Sequence, residues 1–275
     1  MTEASDAVTP DPAAAGAGDS RADLASDHPR AQSRPADHAA ASARALPILT
    51  LSAYRFGTAS ARLWAFGQMP LARHPLSRTP GIGFFKLFGS GSGEGFDPRP
   101  NWSVYAILVT WPDIATARSG IAASPVHARW RDWSAESVTL YAETAAVSGL
   151  WDGRAPFVVP PVASAQNARA DAPLVVLTRA TIRSSRLLDF WSAVPTLGAP
   201  AGLRLKLGLG EVPLLHQVTL TVWSDAEAMR AFAYRSPGHR EAIRRARQDG
   251  WFAEDLFARF RLIASEGTWG GRAVA

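Results

Sequence analysis

Trp111-Pro112-Asp113, then Arg118, then Ser124-Pro125-Val126-His127 is answered by Trp223-Ser224-Asp225, Arg230 and Ser236-Pro237-Gly238-His239, always 112 residues further on. Four features in one order at one spacing argue for an internal duplication rather than chance. Outward from this core the match continues. Glu136 and Gly149-Leu150-Trp151-Asp152-Gly153 correspond to Glu254 and Gly267-Thr268-Trp269-Gly270-Gly271 at an offset of 118, so the second copy carries extra residues in its second helix. Arg62-Leu63 answers Arg186-Leu187, and Phe85-Lys86-Leu87 answers Leu205-Lys206-Leu207, which sets the chain's two lysines on one repeated position.

Within the first copy the pattern predicts a strand over 48–54 and a helix over 58–68 stopped by Gly67. Strands follow over 84–88 and 104–111, parted by a Gly- and Pro-rich loop over 89–100. Asp113 caps a second helix, and a last strand covers 138–146. The order β-α-β-β-α-β is the ferredoxin-like unit, whose sheet has helices on one face and an apolar face left to bury. The expected fold class is therefore α+β. Tandem ferredoxin-like repeats press their bare faces together into a barrel of about eight strands, a dimeric-α/β-barrel-type fold in a single chain. The expected boundaries are a disordered N-terminal tail over 1–46, repeats over 47–155 and 174–275, and a Pro-rich linker over 156–173.

Composition narrows the chemistry. The chain has 275 residues, 47% of them apolar, and no cysteine, which excludes disulfide frameworks, zinc ribbons and thiolate-held haem or iron–sulfur centres. No apolar run reaches the roughly 18 residues of a membrane-spanning helix. The net charge of +5 hides an acidic tail on a basic body. Basic residues do not cluster with aromatics as on nucleic-acid surfaces, so no nucleic-acid partner is expected. The tail lacks an apolar signal region, and a cytoplasmic location is expected.

Four histidines lie beyond the tail. His127 and His239 each occupy the third position of a helix that Ser caps and Pro begins, where free N–H groups disfavour added positive charge and keep imidazole in its ligand form. Each reads equally as a residue completing a helix start. His216 lies on the strand that ends at Trp223, where alternate side chains enter the barrel, and is a candidate catalytic residue. Lys86 and Lys206 sit among apolar strand residues, where a charge needs a carboxylate partner or a route to water. The Gly-rich stretch 89–95 lacks a phosphate-loop ending and reads as a loop or lid.

Several longer strings are distinctive: Arg55-Phe-Gly57, Arg62-Leu-Trp-Ala-Phe-Gly-Gln-Met69, Gly83-Phe-Phe-Lys-Leu-Phe-Gly89, Phe96-Asp-Pro-Arg-Pro-Asn-Trp102 and Val104-Tyr-Ala-Ile-Leu108. Through them the chain resembles the spheroidene monooxygenase family, acyclic carotenoid ketolases of purple photosynthetic bacteria, over about residues 47–273. The resemblance implies a haem-dependent oxygenase that takes O₂ and electrons from reduced ferredoxin and places a 2-oxo group on a linear carotenoid. Peripheral contact with the inner or intracytoplasmic membrane would suit such a substrate. If haem is bound, a histidine must hold its iron, with His239 the expected metal ligand and His127 the rival. Lys86 and Lys206 are then candidates for the propionates. Two other readings stay open: a cofactor-free or haem-degrading monooxygenase of the same barrel type, acting through His216, and a non-catalytic haem or pigment carrier.

Overall fold

Alternation along the first strand, β1 (Ile48–Arg55), sorts its side chains to two sides of a sheet. Leu49, Leu51 and Ala53 enter one apolar cluster, while Ile48 and Tyr54 enter another. The computed structural model describes residues 44–92, 97–161, 172–193, 200–211, 215–235, 244 and 248–274. The remaining first-copy strands are β2 (Phe85–Ser92), β3 (Asp97–Trp111) and β4 (Glu136–Gly149). The second copy supplies β5 (Leu174–Ile182), β6 (Leu203–Gly210), β7 (His216–Trp223) and β8 (Phe252–Gly267).

The eight strands close into a barrel in the order β1-β3-β2-β6-β7-β5-β8-β4, every described pairing antiparallel. Each copy keeps the strand order of a ferredoxin-like unit, and the copies meet along β4·β8 and β2·β6. The registers show a pseudo-two-fold relation. Glu143 pairs with its own repeat partner Arg261, and Val138↔Gly267 mirrors Gly149↔Leu256. At the other seam Gly89 faces Gly210. A single-chain barrel of two repeats is therefore the fold.

The interior is packed with Leu, Val, Ala and Phe from all eight strands, closed at one end by Trp151. Outside the first sheet lie α1 (Ala59–Leu71), α2 (Arg73–Ser77), α3 (Ile114–Ala123) and α4 (Pro125–Trp133). The second copy has α5 (Leu187–Ala193) and α6 (Ala226–Arg235). Asp113 and Ser124 cap α3 and α4 as the sequence predicts: Asp113 accepts from the Thr116 N–H at 2.7 Å and Ser124 from that of His127 at 3.4 Å.

Some boundaries move. Helix α1 continues through Gly67 and Pro70, because packing of Ala61 and Ala65 on the sheet outweighs the local stop signal. Strands β2 and β3 extend into the predicted Gly- and Pro-rich loop, leaving 93–96 outside the described residues. Leu46, assigned to the tail, is buried and pairs with Phe157, assigned to the linker and itself buried in the barrel core. Phe157 joins the barrel core, and burial of these two apolar side chains draws the end of the tail and the start of the linker region onto the barrel.

Candidate functional site

At one mouth of the barrel the interior-facing positions change from apolar to charged. Arg179 lies in the second half of β5, β8 begins near Glu254, β7 begins at His216, and Glu211 follows β6. Lys86 comes from β2 between Phe84 and Phe88, both core residues, and the turn after β4 brings Trp151, Asp152 and Gly153. Lys86 Nζ lies 2.5 Å from Asp152 Oδ2 and 2.9 Å from Glu211 Oε2. Glu211 Oε1 accepts the Trp151 indole N–H at 2.5 Å, and His216 Nδ1 stands 3.7 Å from Glu211 Oε2.

Arg179 is the most deeply buried of these charges, 2% exposed, and a guanidinium so placed must be paired. It donates to Glu254 and, at 2.8 Å, to Asp152 Oδ1. Glu254 also accepts the backbone N–H groups of Asp152 and Gly153, each at 2.7 Å. These bonds hold Asp152 at φ 51°, a left-handed backbone that Asp tolerates better than most residues. Burial pushes the Asp152 carboxyl up, but the Lys86 hydrogen bond and the charges of Lys86 and Arg179 outweigh it, leaving it below the usual carboxylate range. Asp152, Glu211 and His216 have the spacing of a cation site, their ligand atoms within 4.8 Å of one another. The Lys86 ammonium already sits against both carboxylates and supplies the positive charge there.

The opposite mouth is the same device made simpler. Arg55 pairs with Glu136 at 3.0 Å and lies 4.5 Å over the Trp269 ring. Glu136 accepts from the Gly271 N–H at 2.7 Å and from Thr268 Oγ1 at 3.3 Å. Where the first mouth has Lys86, Asp152 and His216, this one has Leu207, Gly270 and Val104. Duplication produced two Arg–Glu–Trp rims, and one of them carries in addition Lys86, Asp152, Glu211 and His216.

The structure thus brings together Lys86 and His216 among the residues singled out from sequence, joined through Glu211. Lys206 goes elsewhere. Leu205 and Leu207 both enter the barrel core, so Lys206 faces the other side of the sheet. The two lysines are not structurally equivalent, because the strands correspond with a slip of one residue and such a slip exchanges faces. Arg179, Glu211, Glu254, Asp152 and Trp151 were not singled out as site residues. The one visible signal was the contrast of Trp151-Asp-Gly153 with Trp269-Gly-Gly271.

His127 is 1% exposed in the layer between sheet and helices, outside the barrel interior. Its Nδ1 lies 3.0 Å from Ser124 Oγ, and its Nε2 is buried without a hydrogen-bond partner among the described residues. Burial, with the Arg131 charge adding to it, pushes its pKa down to about 4, so the ring is neutral at pH 7. That is the donor chemistry iron requires. The surroundings do not suit a macrocycle: Tyr54, Phe56, Trp64 and Tyr105 pack on Trp130 of the same helix at ring separations of 5.3, 6.0, 6.3 and 6.3 Å. His239 and its Ser-Pro-Gly-His turn lie outside the described residues, so the described part of the chain does not by itself compose a haem site.

Comparison with known proteins places this barrel. Over 231 residues, 82% of this chain and 95% of the relative, it is 44% identical to a spheroidene monooxygenase of Rhodobacter capsulatus. The chain belongs to the spheroidene monooxygenase family. A second spheroidene monooxygenase, from Cereibacter sphaeroides, is 41% identical across 82% of this chain and 70% of its own length. Residues 179–261 also match a family model described as a domain of unknown function (DUF3291). Among solved structures, an aldoxime dehydratase superposes with a TM-score of 0.51 at 12% identity, covering 86% of this chain and 90% of that one, a likeness of fold alone.

Proposed function

We propose that the protein is a haem-dependent monooxygenase that introduces a 2-oxo group into a linear carotenoid, using O₂ and electrons from a reduced ferredoxin. The observation that carries this reading is the 44% identity to a spheroidene monooxygenase across 95% of that relative's length. Ketone formation follows from two oxygenations at one carbon. Each consumes one O₂, two electrons and two protons, leaves one hydroxyl and releases one water; the resulting geminal diol then loses a further water. Haem would supply O₂ activation, with His239 as the proposed iron ligand. The chain's own contribution is twofold. An interior of aliphatic and aromatic side chains suits a hydrocarbon, and the mouth holds a histidine beside a carboxylate, a pair able to pass the protons the reaction consumes. The basic body suits an acidic ferredoxin.

The test is the absorbance of protein expressed with a haem supply, before and after reduction and CO. The expected result is a Soret band that His239→Ala abolishes and His127→Ala retains. A band lost only with His127→Ala overturns the ligand assignment. The polar mouth also favours a second reading, a cofactor-free or haem-degrading oxygenase in which His216 acts on the substrate directly. A colourless protein that still forms product, with His216→Ala inactive, would establish it, whereas a haem-loaded protein that forms no product with reductant and O₂ would mark a carrier.

A further inference from the structure

Helix α1 presents its apolar side to solvent. Its sequence, ASARLWAFGQMPL, has only Ser60, Arg62 and Gln68 as polar residues. On the sheet side Ala61 and Ala65 are buried and Trp64 and Met69 pack, partly buried, against the outer cluster, while the remaining apolar bulk of the helix faces away from it. The outer ridge at helical spacing is Ala59, Leu63, Phe66 and Pro70. Leu63 is 74% exposed, Phe66 52% and Leu71, at the helix end, 65%. Trp102 of β3, itself 53% exposed, stands edge-on to Phe66 at 5.3 Å, and the two line a shallow open groove of about 260 Å³ with Ala59, Arg62 and Leu63.

A helix apolar on every side is normally buried or spans a membrane. At 13 residues α1 is too short to span, and no described helix is long and apolar enough to do so. The charge around the ridge indicates what covers it. From Arg44 to Gly93 the chain carries no acidic residue, while Arg62, Arg73 and Arg78 are exposed on α1, on α2 and at the end of α2. Apolar side chains with a tryptophan, accompanied by arginines in a stretch of chain without acids, match the boundary between acyl chains and anionic headgroups; the acid near the helix is Asp132, next to the Trp133 that stacks on Trp64.

We propose that the outer ridge of α1, with Leu71 and Trp102, docks on the surface of an anionic lipid bilayer. Docking holds the protein where a hydrocarbon substrate resides, yet it does not depend on haem or on the reaction. The test is co-sedimentation of the full chain with vesicles of phosphatidylglycerol and phosphatidylcholine, against vesicles of phosphatidylcholine alone. The wild type is expected to bind the anionic vesicles more tightly and to be released by salt. Leu63→Ser with Phe66→Ser should weaken that binding about tenfold or more. Arg73→Glu with Arg78→Glu should remove the preference for anionic lipid. Because all four side chains are exposed, these variants should keep the wild-type circular dichroism and Tm.

Wild-type protein that stays in the supernatant with both vesicle types overturns the proposal, as does a folded Leu63→Ser/Phe66→Ser protein that binds like the wild type. Sedimentation analysis separates the remaining occupant: if the same double substitution instead abolishes a dimer of this chain and leaves vesicle binding unchanged, the ridge is a self-association surface. The Soret test of the His239 variants reads the proposed reaction independently, so either proposal can fail while the other stands.

Discussion

Protonating His127 is costly because its imidazole is buried between sheet and helices and lies near the positive charge of Arg131. The folded-state pKa near 4 stands below the ordinary value of 6.5. Between those two values the unfolded chain binds a proton that the folded chain refuses, so stability falls as the pH drops through 6.5 and the loss is complete near pH 4. The shift corresponds to on the order of 3 kcal/mol. Thermal melts in steps from pH 7 to pH 4.5 should show a falling Tm, and His127→Leu should flatten that slope even if it lowers Tm at pH 7. An unchanged slope in a folded variant would assign the acid sensitivity to other groups. Ser124 is part of the same arrangement, since one hydroxyl caps α4 and also meets the imidazole. The residue pattern Ser-Pro-x-His is thus explained in the first copy by helix initiation and a buried neutral ring.

At the level of elements, the two long strands β4 and β8 end on Gly149 and Gly267, at φ 87° and 85°. A Cβ on Gly149 would meet the Asp255 carbonyl oxygen at 2.2 Å, and one on Gly267 would meet that of Ser137 at 2.2 Å. These are repeat-equivalent positions, each closing the turn that carries a Trp to a barrel mouth. Gly149→Ala and Gly267→Ala should each cost about 2 kcal/mol or more, from the left-handed backbone and the clash together. Urea melts would check this, and a cost under about 0.5 kcal/mol for either would contradict the assigned geometry. Both glycines, both tryptophans and both glutamates stand out in the sequence because the duplication prints them twice. Strand order and barrel closure were legible for the same reason, since two β-α-β-β-α-β units leave two bare sheet faces to be joined. The mouth was less legible. Arg179, Glu211 and Asp152 meet only when β5, β6 and the turn after β4 converge, and no local spacing records that convergence. Lys206 misled because a repeated triplet, Leu-Lys-Leu against Phe-Lys-Leu, hides a one-residue slip that a two-residue pleat turns into opposite faces.

The whole barrel is closed by two unequal seams. Among the described residues eleven pairs join β4 to β8, reinforced at the pseudo-axis by the Arg261–Glu143 ion pair, while Gly89↔Gly210 and Ser90↔Leu209 join β2 to β6. One of these two pairs is glycine against glycine, and the other sets Ser90 beside the core residue Leu209. What spans it is Lys86 of β2 bonded to Glu211, the residue after β6, within the charged mouth. Among the described pairings, strand separation is least costly at this seam, which has the fewest ladder pairs. Hydrogen exchange should therefore show amides of 89–90 and 209–210 exchanging about 100-fold faster than those in the middle of β4 and β8. Lys86→Met removes the clasp while keeping the side chain's apolar length, so it should speed exchange at the short seam and leave the long seam unchanged. Equal protection at both seams in the wild type, or a Lys86→Met effect spread over the whole barrel, would mean that the mouth stabilises the fold globally rather than governing one edge of it.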